Sequence, residues 1–265
     1  MSGPEPHRAR EVAESFGADA DRYDRARPRY PVPLFDRVLA GRPGAEVLDV
    51  GCGTGIVARQ LLAAGCRVLG VDVDARMVEL ARQSGVEAEV AAFETWDTSG
   101  RLFDAVVSGQ AWHWLEPNAS VSKAASALRA DGRLAVFWNL FQPTTEVAAA
   151  FDAVYRTVLP KNTAFSWTRP VIDAYVPILT KTADAIRACA EFGEPEEWRF
   201  AWEHVYTRDA WLDQVPTFGN SNVMPPEKLA ALLDGLGATI DELGGEFTMP
   251  YTTVAITAVR TTTAR

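Results

Sequence analysis

The chain is poor in the residues that mark several common kinds of protein. It has three cysteines, Cys52, Cys66 and Cys189, odd in number and far apart. Disulfide frameworks and zinc sites need paired or clustered sulfur, so neither is expected, and no metal is called for. No apolar run approaches the ~20 residues of a membrane-spanning helix. The opening stretch, Met1 to Arg10, lacks the apolar core of an export signal, and a cytoplasmic location is expected. Basic charge is in deficit: 26 Lys and Arg against 35 Asp and Glu give a net charge of −9. Nucleic acid is therefore not an expected partner, because gripping phosphates takes a basic face. Repeats, low-complexity segments and sustained heptads are missing too, and nothing in the pattern specifies an oligomeric state.

What is present is material for an enzyme core. The 265 residues are 48% hydrophobic, enough for one large domain or a domain with a cap. The most telling stretch is Glu46-Val-Leu-Asp-Val-Gly-Cys-Gly-Thr-Gly55. A short apolar strand runs into Gly51, Gly53 and Gly55, and a helical pattern follows from Ile56. Such a turn presents bare backbone and a helix N-terminus to a ligand. Twenty-one positions after Gly51, a second apolar strand ends in Asp72. Together these point to an adenosine-containing cofactor. Dinucleotide folds space their glycines as Gly-x-Gly-x-x-Gly, and Ile56 stands where the last would be. A nicotinamide oxidoreductase is the weakest reading for that reason, and the lack of Gly-Lys-Ser/Thr excludes a triphosphate loop.

These residues resemble the class I S-adenosylmethionine (SAM) methyltransferases, whose first loop reads Leu-Asp-x-Gly-x-Gly-x-Gly. The resemblance implies a cofactor, SAM, that leaves as S-adenosylhomocysteine. It implies that Asp49 bonds the methionine amino group, directly or through water. The backbone of Gly51, Cys52, Gly53 and Gly55 then lines the amino-acid tail, and Asp72 grips the ribose hydroxyls. Val73 and Met77 fall where the family packs the adenine faces, a use that suits a thioether. Phe93 and Glu94 fall where it meets the adenine edge. Cys52 reads as a small filler rather than a nucleophile.

Alternating strand and helix patterns place this motif in a doubly wound α/β fold. Helix Val32–Leu39, strand Glu46–Val50, helix Ile56–Ala64, strand Arg67–Val71 and helix Ala75–Gln83 come first. Strands Ala88–Ala92 and Phe103–Ser108, helix Ala119–Leu128 and strand Arg133–Trp138 follow, with Asp131-Gly132 as the turn into the last. Helices over Glu146–Val158, Pro170–Leu179 and Thr182–Phe192 break the rhythm, with a strand at Trp198–Tyr206. Helix Pro226–Leu243 and strand Glu246–Val259 close a mostly parallel, seven-stranded sheet. The expected division is an N-terminal lid (1–31, with a helix over Ala9–Phe16), a Rossmann-like SAM-binding core (32–140), a helical cap (141–222) and a segment completing the core sheet (223–265).

Chemistry beyond the cofactor is expected at Gln110-Ala-Trp-His-Trp114, because ligands sit outside the carboxyl ends of strands in such sheets. This segment resembles a branch acting on small molecules, among them trans-aconitate and juvenile-hormone-acid methyltransferases. Tyr23 with Arg27-Pro28-x-Tyr30-Pro31, and the closing Pro250-Tyr-x-Thr253, fit the same branch, so the resemblance covers nearly the whole chain. It implies a leader folded over the cofactor, with Tyr23 or Arg27 reaching its carboxylate, Gln110 beside it, and Trp112 and Trp114 against the acceptor. His113 has three open roles: a general base near its ordinary pKa of about 6.5, a neutral donor that orients the acceptor, or a structural residue. Of the leader arginines Arg22, Arg25, Arg27 and Arg29, any left over by acids such as Asp21 and Asp24 is a candidate for a substrate anion. The expected activity is methyl transfer to a small molecule by in-line displacement, at a carboxylate or hydroxyl oxygen. N- or C-methylation, a SAM-fold cyclase or isomerase, and a SAM-binding protein without catalysis stand as alternatives.

Overall fold

The apolar run ahead of the glycines forms the middle of the molecule. In the computed structural model, which describes residues 16–160, 166–219, 221 and 224–261, strand β1 (Glu46–Val50) buries Val47, Leu48 and Val50 completely. Burial on both faces is what a parallel sheet between two helical layers demands. The other strands are β2 (Arg67–Asp72), β3 (Glu87–Val90), β4 (Phe103–Gly109), β5 (Leu128–Phe141), β6 (Glu196–Thr207) and β7 (Glu246–Val259). They form one open sheet in the order 3-2-1-4-5-7-6. The first five run parallel, and β7 enters antiparallel between β5 and β6.

The helices are α1 (Ala20–Ala26), α2 (Val32–Leu39), α3 (Ile56–Ala63), α4 (Ala75–Gln83), α5 (Pro117–Ala127), α6 (Thr145–Val158), α7 (Val171–Ala188), α8 (Arg208–Gln214) and α9 (Pro226–Glu242). Side-chain caps start several of them: Asp74 accepts from Arg76 N–H at 2.9 Å, and Glu116 from Ala119 N–H at 2.6 Å. Each cap satisfies a donor that the helix cannot. Helices α2, α3 and α4 cover one face of the sheet, with Leu34, Leu61 and Val78 against Val47, Val68 and Phe137. Helices α5 and α7 cover the other through Val121, Ala124 and Ile186, against Val136 and Ile256.

Three expectations change. Asp131-Gly132 lies inside β5 rather than ahead of it. Asp131 takes φ 59°, and the ladder shifts register opposite Phe103–Ala105, so the pair forms a bulge. The two helices expected over 170–192 are one, α7, with Pro177 inside it. Pro177 deletes a single ladder bond, and the buried stripe of Leu179, Thr182, Ala185 and Ile186 holds the helix to the sheet beyond it. Finally, 141–222 is not all cap, because α7 belongs to a sheet face and β6 is the sheet's edge strand. The helix expected over Ala9–Phe16 lies outside the described residues except for Phe16, which opens a 3-10 turn, Phe16–Asp19.

What stands over the sheet is mounted on it. Strand β5 ends opposite Tyr251, whereas β6 and β7 stay paired down to Thr207 and Glu246. A two-stranded ribbon therefore overhangs the carboxyl ends of the parallel strands. On it sits a third core, in which fully buried Trp211 lies 5.0 Å from Tyr206 and 5.6 Å from Phe151, ring to ring. Helices α6, α8 and α9 pack around that core.

Candidate active site

The chain leaves β1 at Gly51 in a conformation that L side chains avoid. Gly51 takes φ 66°, and a Cβ there would stand 2.4 Å from the Ala111 Cβ, so only glycine fits. The N–H groups of Gly51 and Cys52 donate to Val71 O at 2.8 and 3.2 Å, pinning the turn to β2. Gly53 N–H donates to Asp72 Oδ2 at 2.8 Å, and Asp74 N–H donates to Oδ1 at 2.9 Å. Two backbone donors thus aim the Asp72 carboxylate, while its burial pushes the pKa upward. Beneath the turn, Asp49 is 1% exposed and its carboxyl oxygens lack a hydrogen-bond partner of good geometry. Burial, and then the charge of Asp72, push it up to about 8.

A cavity of about 930 Å³ opens above the turn, at the carboxyl ends of β1, β2, β4 and β5. Gly51, Cys52, Gly53 and Asp72 line it, together with Val73, Met77 and Phe93. Tyr23, Arg27, Gln110, His113 and Trp114 line it as well. Gln110 is held in the left-handed region, φ 57°, with its amide donating to Asn139 O at 3.0 Å. Strained backbone of this kind collects at working sites.

Four expected residues stay off the wall. Asp49 lies under the turn, and Gly55, at φ 85°, is the N-cap of α3. Glu94 is drawn away, because its Oε1 accepts from Glu116 N–H at 3.1 Å and steadies the start of α5. Trp112 packs into the core with its ring 6.1 Å from Phe93. The tight turn Trp112–Trp114 sends the first residue inward and leaves the next two at the cavity.

Other lining residues carry no motif. Asn139 and Phe141 end β5, and the rule that pointed to the end of β4 applies to them equally. Tyr155, Tyr175, Gln214 and Tyr251 arrive from α6, α7, α8 and β7. Among the tryptophans of 141–222, Trp167 lines the cavity. Trp198 lies under the Arg37 guanidinium at 3.9 Å, and Trp202 stacks on Tyr251 at 4.4 Å.

His113 is tied from below. The Trp138 indole N–H donates to its Nδ1 at 3.1 Å, and the Trp114 ring lies 4.7 Å away. Burial alone lowers its pKa to about 4, so at neutral pH the ring carries no charge.

The leader closes one side. Asp24 of α1 accepts from Thr54 Oγ1 at 2.6 Å and pairs with Arg59, holding α1 to the glycine turn. Arg22 and Arg25 reach Asp213 of α8 at 3.2 and 2.8 Å, holding it to the cap. Arg29 stands 3.9 Å from Asp24. Arg27 differs from these three: among the described residues it has no carboxylate partner. Its guanidinium donates to Thr217 O and lies over the Tyr23 and Phe218 rings, at 4.9 and 5.2 Å.

The residues suit SAM. The orphaned Asp49 carboxyl beneath the turn is a group that a cationic amino-acid tail relieves, and Asp72 stands at the cavity wall with oriented oxygens. Comparisons with known proteins agree. A family model described as a methyltransferase domain matches residues 47–132. An uncharacterized methyltransferase of Mycobacterium tuberculosis is 26% identical over 260 residues, covering 94% of this chain and 97% of its own. The malonyl-acyl-carrier-protein O-methyltransferase of Acetivibrio thermocellus is 24% identical over 226 residues, 80% of this chain and 78% of that one. A solved structure described as a type II methyltransferase, from Anaeromyxobacter dehalogenans, superposes with a TM-score of 0.63 at 22% identity, covering 89% of this chain and 97% of its own. Residues 47–132 match a methyltransferase domain, and the protein is a SAM-dependent methyltransferase with SAM as its cofactor.

Proposed function

We propose that the enzyme methylates an oxygen of a small molecule, and that the oxygen belongs to a carboxylate. The observation that carries this reading is Arg27: a guanidinium facing the cavity without a carboxylate of its own. Around it stand the rings of Tyr23, Phe141, Trp167, Phe218 and Tyr251, walls for an apolar or aromatic body. The relative from Acetivibrio thermocellus, named an O-methyltransferase, fits the same chemistry.

Bound SAM supplies an electrophilic sulfonium methyl. Asp72 holds the ribose hydroxyls, with Val73, Met77 and Phe93 around the adenine. The turn Gly51–Gly53, with Asp49 beneath it, receives the amino-acid tail. Tyr23 and Arg27 close the leader over both ligands, and the cap excludes water. The acceptor oxygen forms its new bond to carbon as the carbon–sulfur bond breaks, and that electron pair stays on sulfur. A carboxylate is already ionised at neutral pH, so the site's main task is alignment.

The test is S-adenosylhomocysteine formation with a panel of small carboxylic acids, phenols and amines. The expected product is a methyl ester that mild base hydrolyses. Turnover confined to amines would overturn the reading. Arg27→Met then separates two uses of the guanidinium. A raised acceptor KM assigns it to the acceptor's carboxylate, and a raised SAM KM assigns it to the cofactor's.

A further inference from the structure

Among the described residues His113 has one polar contact, and that contact decides what its ring can do. The partner is Trp138, near the carboxyl end of β5 and 0% exposed. An indole N–H donates and never accepts. The bond of 3.1 Å to Nδ1 therefore requires a lone pair on Nδ1. A neutral imidazole with a lone pair on Nδ1 carries its hydrogen on Nε2. Among the described residues Nε2 has no partner, and the ring forms part of the cavity wall. Among the described residues no carboxylate or cation contributes at His113, and the rings beside it are those of Trp114 and Trp138.

We propose that Trp138 is a positioning residue for methyl transfer. Its indole N–H locks His113 in the Nε2–H tautomer, so His113 offers the acceptor a hydrogen-bond donor, not a base, and the acceptor must arrive as an oxyanion. This rests on the reading of the cavity as the methyl-transfer site. In that tautomer the ring's lone pair, on Nδ1, is engaged by the indole N–H, and Nε2 has none with which to take a proton from a hydroxyl. A lone pair on Nε2 would put a hydrogen on Nδ1, facing the indole hydrogen. With a carboxylate acceptor the step closes without a base. The oxygen lone pair forms the O–CH3 bond, the C–S pair goes to sulfur, and the two opposite charges cancel. The Nε2–H proton stays on nitrogen throughout. A neutral donor also suits this step. It orients the carboxylate more gently than an imidazolium would, leaving the charge free to form the bond.

The decisive measurement is a long-range 1H–15N correlation of the imidazole rings in the 15N-labelled protein, with His113→Gln to assign the signals. The expected spectrum shows His113 protonated on Nε2 and unchanged between about pH 5 and 8. Trp138→Phe should mix the two tautomers and lower kcat about tenfold or more with little change in the KM for SAM. Trp198→Phe, another buried sheet tryptophan, should leave the His113 signals alone. A wild-type ring protonated on Nδ1, or one that gains charge between about pH 5 and 8, overturns the proposal whether or not Trp138→Phe folds. So does an unchanged tautomer in a folded Trp138→Phe. The right tautomer without any methyl transfer would instead count against the reading of the site.

Discussion

Replacing Asp49 with asparagine should change how the ligand-free protein responds to pH while weakening its hold on SAM. In the folded chain burial pushes Asp49 up to about 8, whereas an unfolded aspartate titrates near 3.9. Between those values the native state keeps a proton that the unfolded chain has released, so stability falls as pH rises. Each pH unit costs up to about 1.4 kcal/mol, for a ceiling of about 4 kcal/mol by pH 7. His113 runs the other way. Its folded pKa is about 4, so it adds stability as pH rises towards its unfolded value of about 6.5. The clean window is therefore about pH 6.5 to 8, in which the Asp49 carboxyl should cost the wild type about 1.5–2 kcal/mol. Asparagine does not ionise, and that loss should vanish. It still buries amide atoms without partners, so the net gain at pH 7 should be about 1–2 kcal/mol rather than the ceiling. Urea unfolding of both proteins across the window, without ligand, makes the comparison. Stabilities that fall in parallel would show that Asp49 does not titrate as an unpaired buried acid, and would refute the reasoning. SAM should also raise the melting temperature of the variant less than that of the wild type.

Three further outcomes follow from the same geometry. Asp72→Ala should abolish the thermal shift given by SAM and S-adenosylhomocysteine, and NAD should give no shift with either protein; an NAD shift that depends on Asp72 would overturn the cofactor assignment. Gly51→Ala must place a methyl 2.4 Å from the Ala111 Cβ in a left-handed conformation; a loss of about 2 kcal/mol or more in denaturant unfolding is expected, together with loss of SAM binding. Asp213→Asn removes the acid that holds Arg22 and Arg25. Because these pairs are partly exposed, stability should fall by about 1 kcal/mol or less, while stopped-flow measurement should show faster SAM release.

The sequence was legible where local rules decide. The run Val47-Leu-Asp-Val50, apolar except for Asp49, reads as a strand, and Gly51, Gly53 and Asp72 lie where their spacing put them. Residues whose placement depends on distant partners were harder to read. Glu94 was expected at the adenine edge, and nothing local pointed to Glu116, its partner 22 positions along the chain. Trp112, His113 and Trp114 are adjacent in sequence, yet a tight turn divides them between core and cavity. The gap expected between Leu179 and Thr182 is absent, because a buried stripe carries the helix through it. His113 kept three open roles until Trp138, 25 positions on, appeared against its Nδ1. No spacing rule links those two residues; only the register of β5 beside β4 does.

The overhanging ribbon of β6 and β7 bears on traffic. A cap seated on two strands that continue into the sheet moves only if the sheet twists with it. The leader has no such mount, and among its described residues side-chain ties reach both the glycine turn and the cap. Cofactor and acceptor should therefore pass at the leader, which side chains hold to the glycine turn and the cap, rather than at the cap. Both products should leave the same way, so a change at α1, apart from the chemistry, should alter their release.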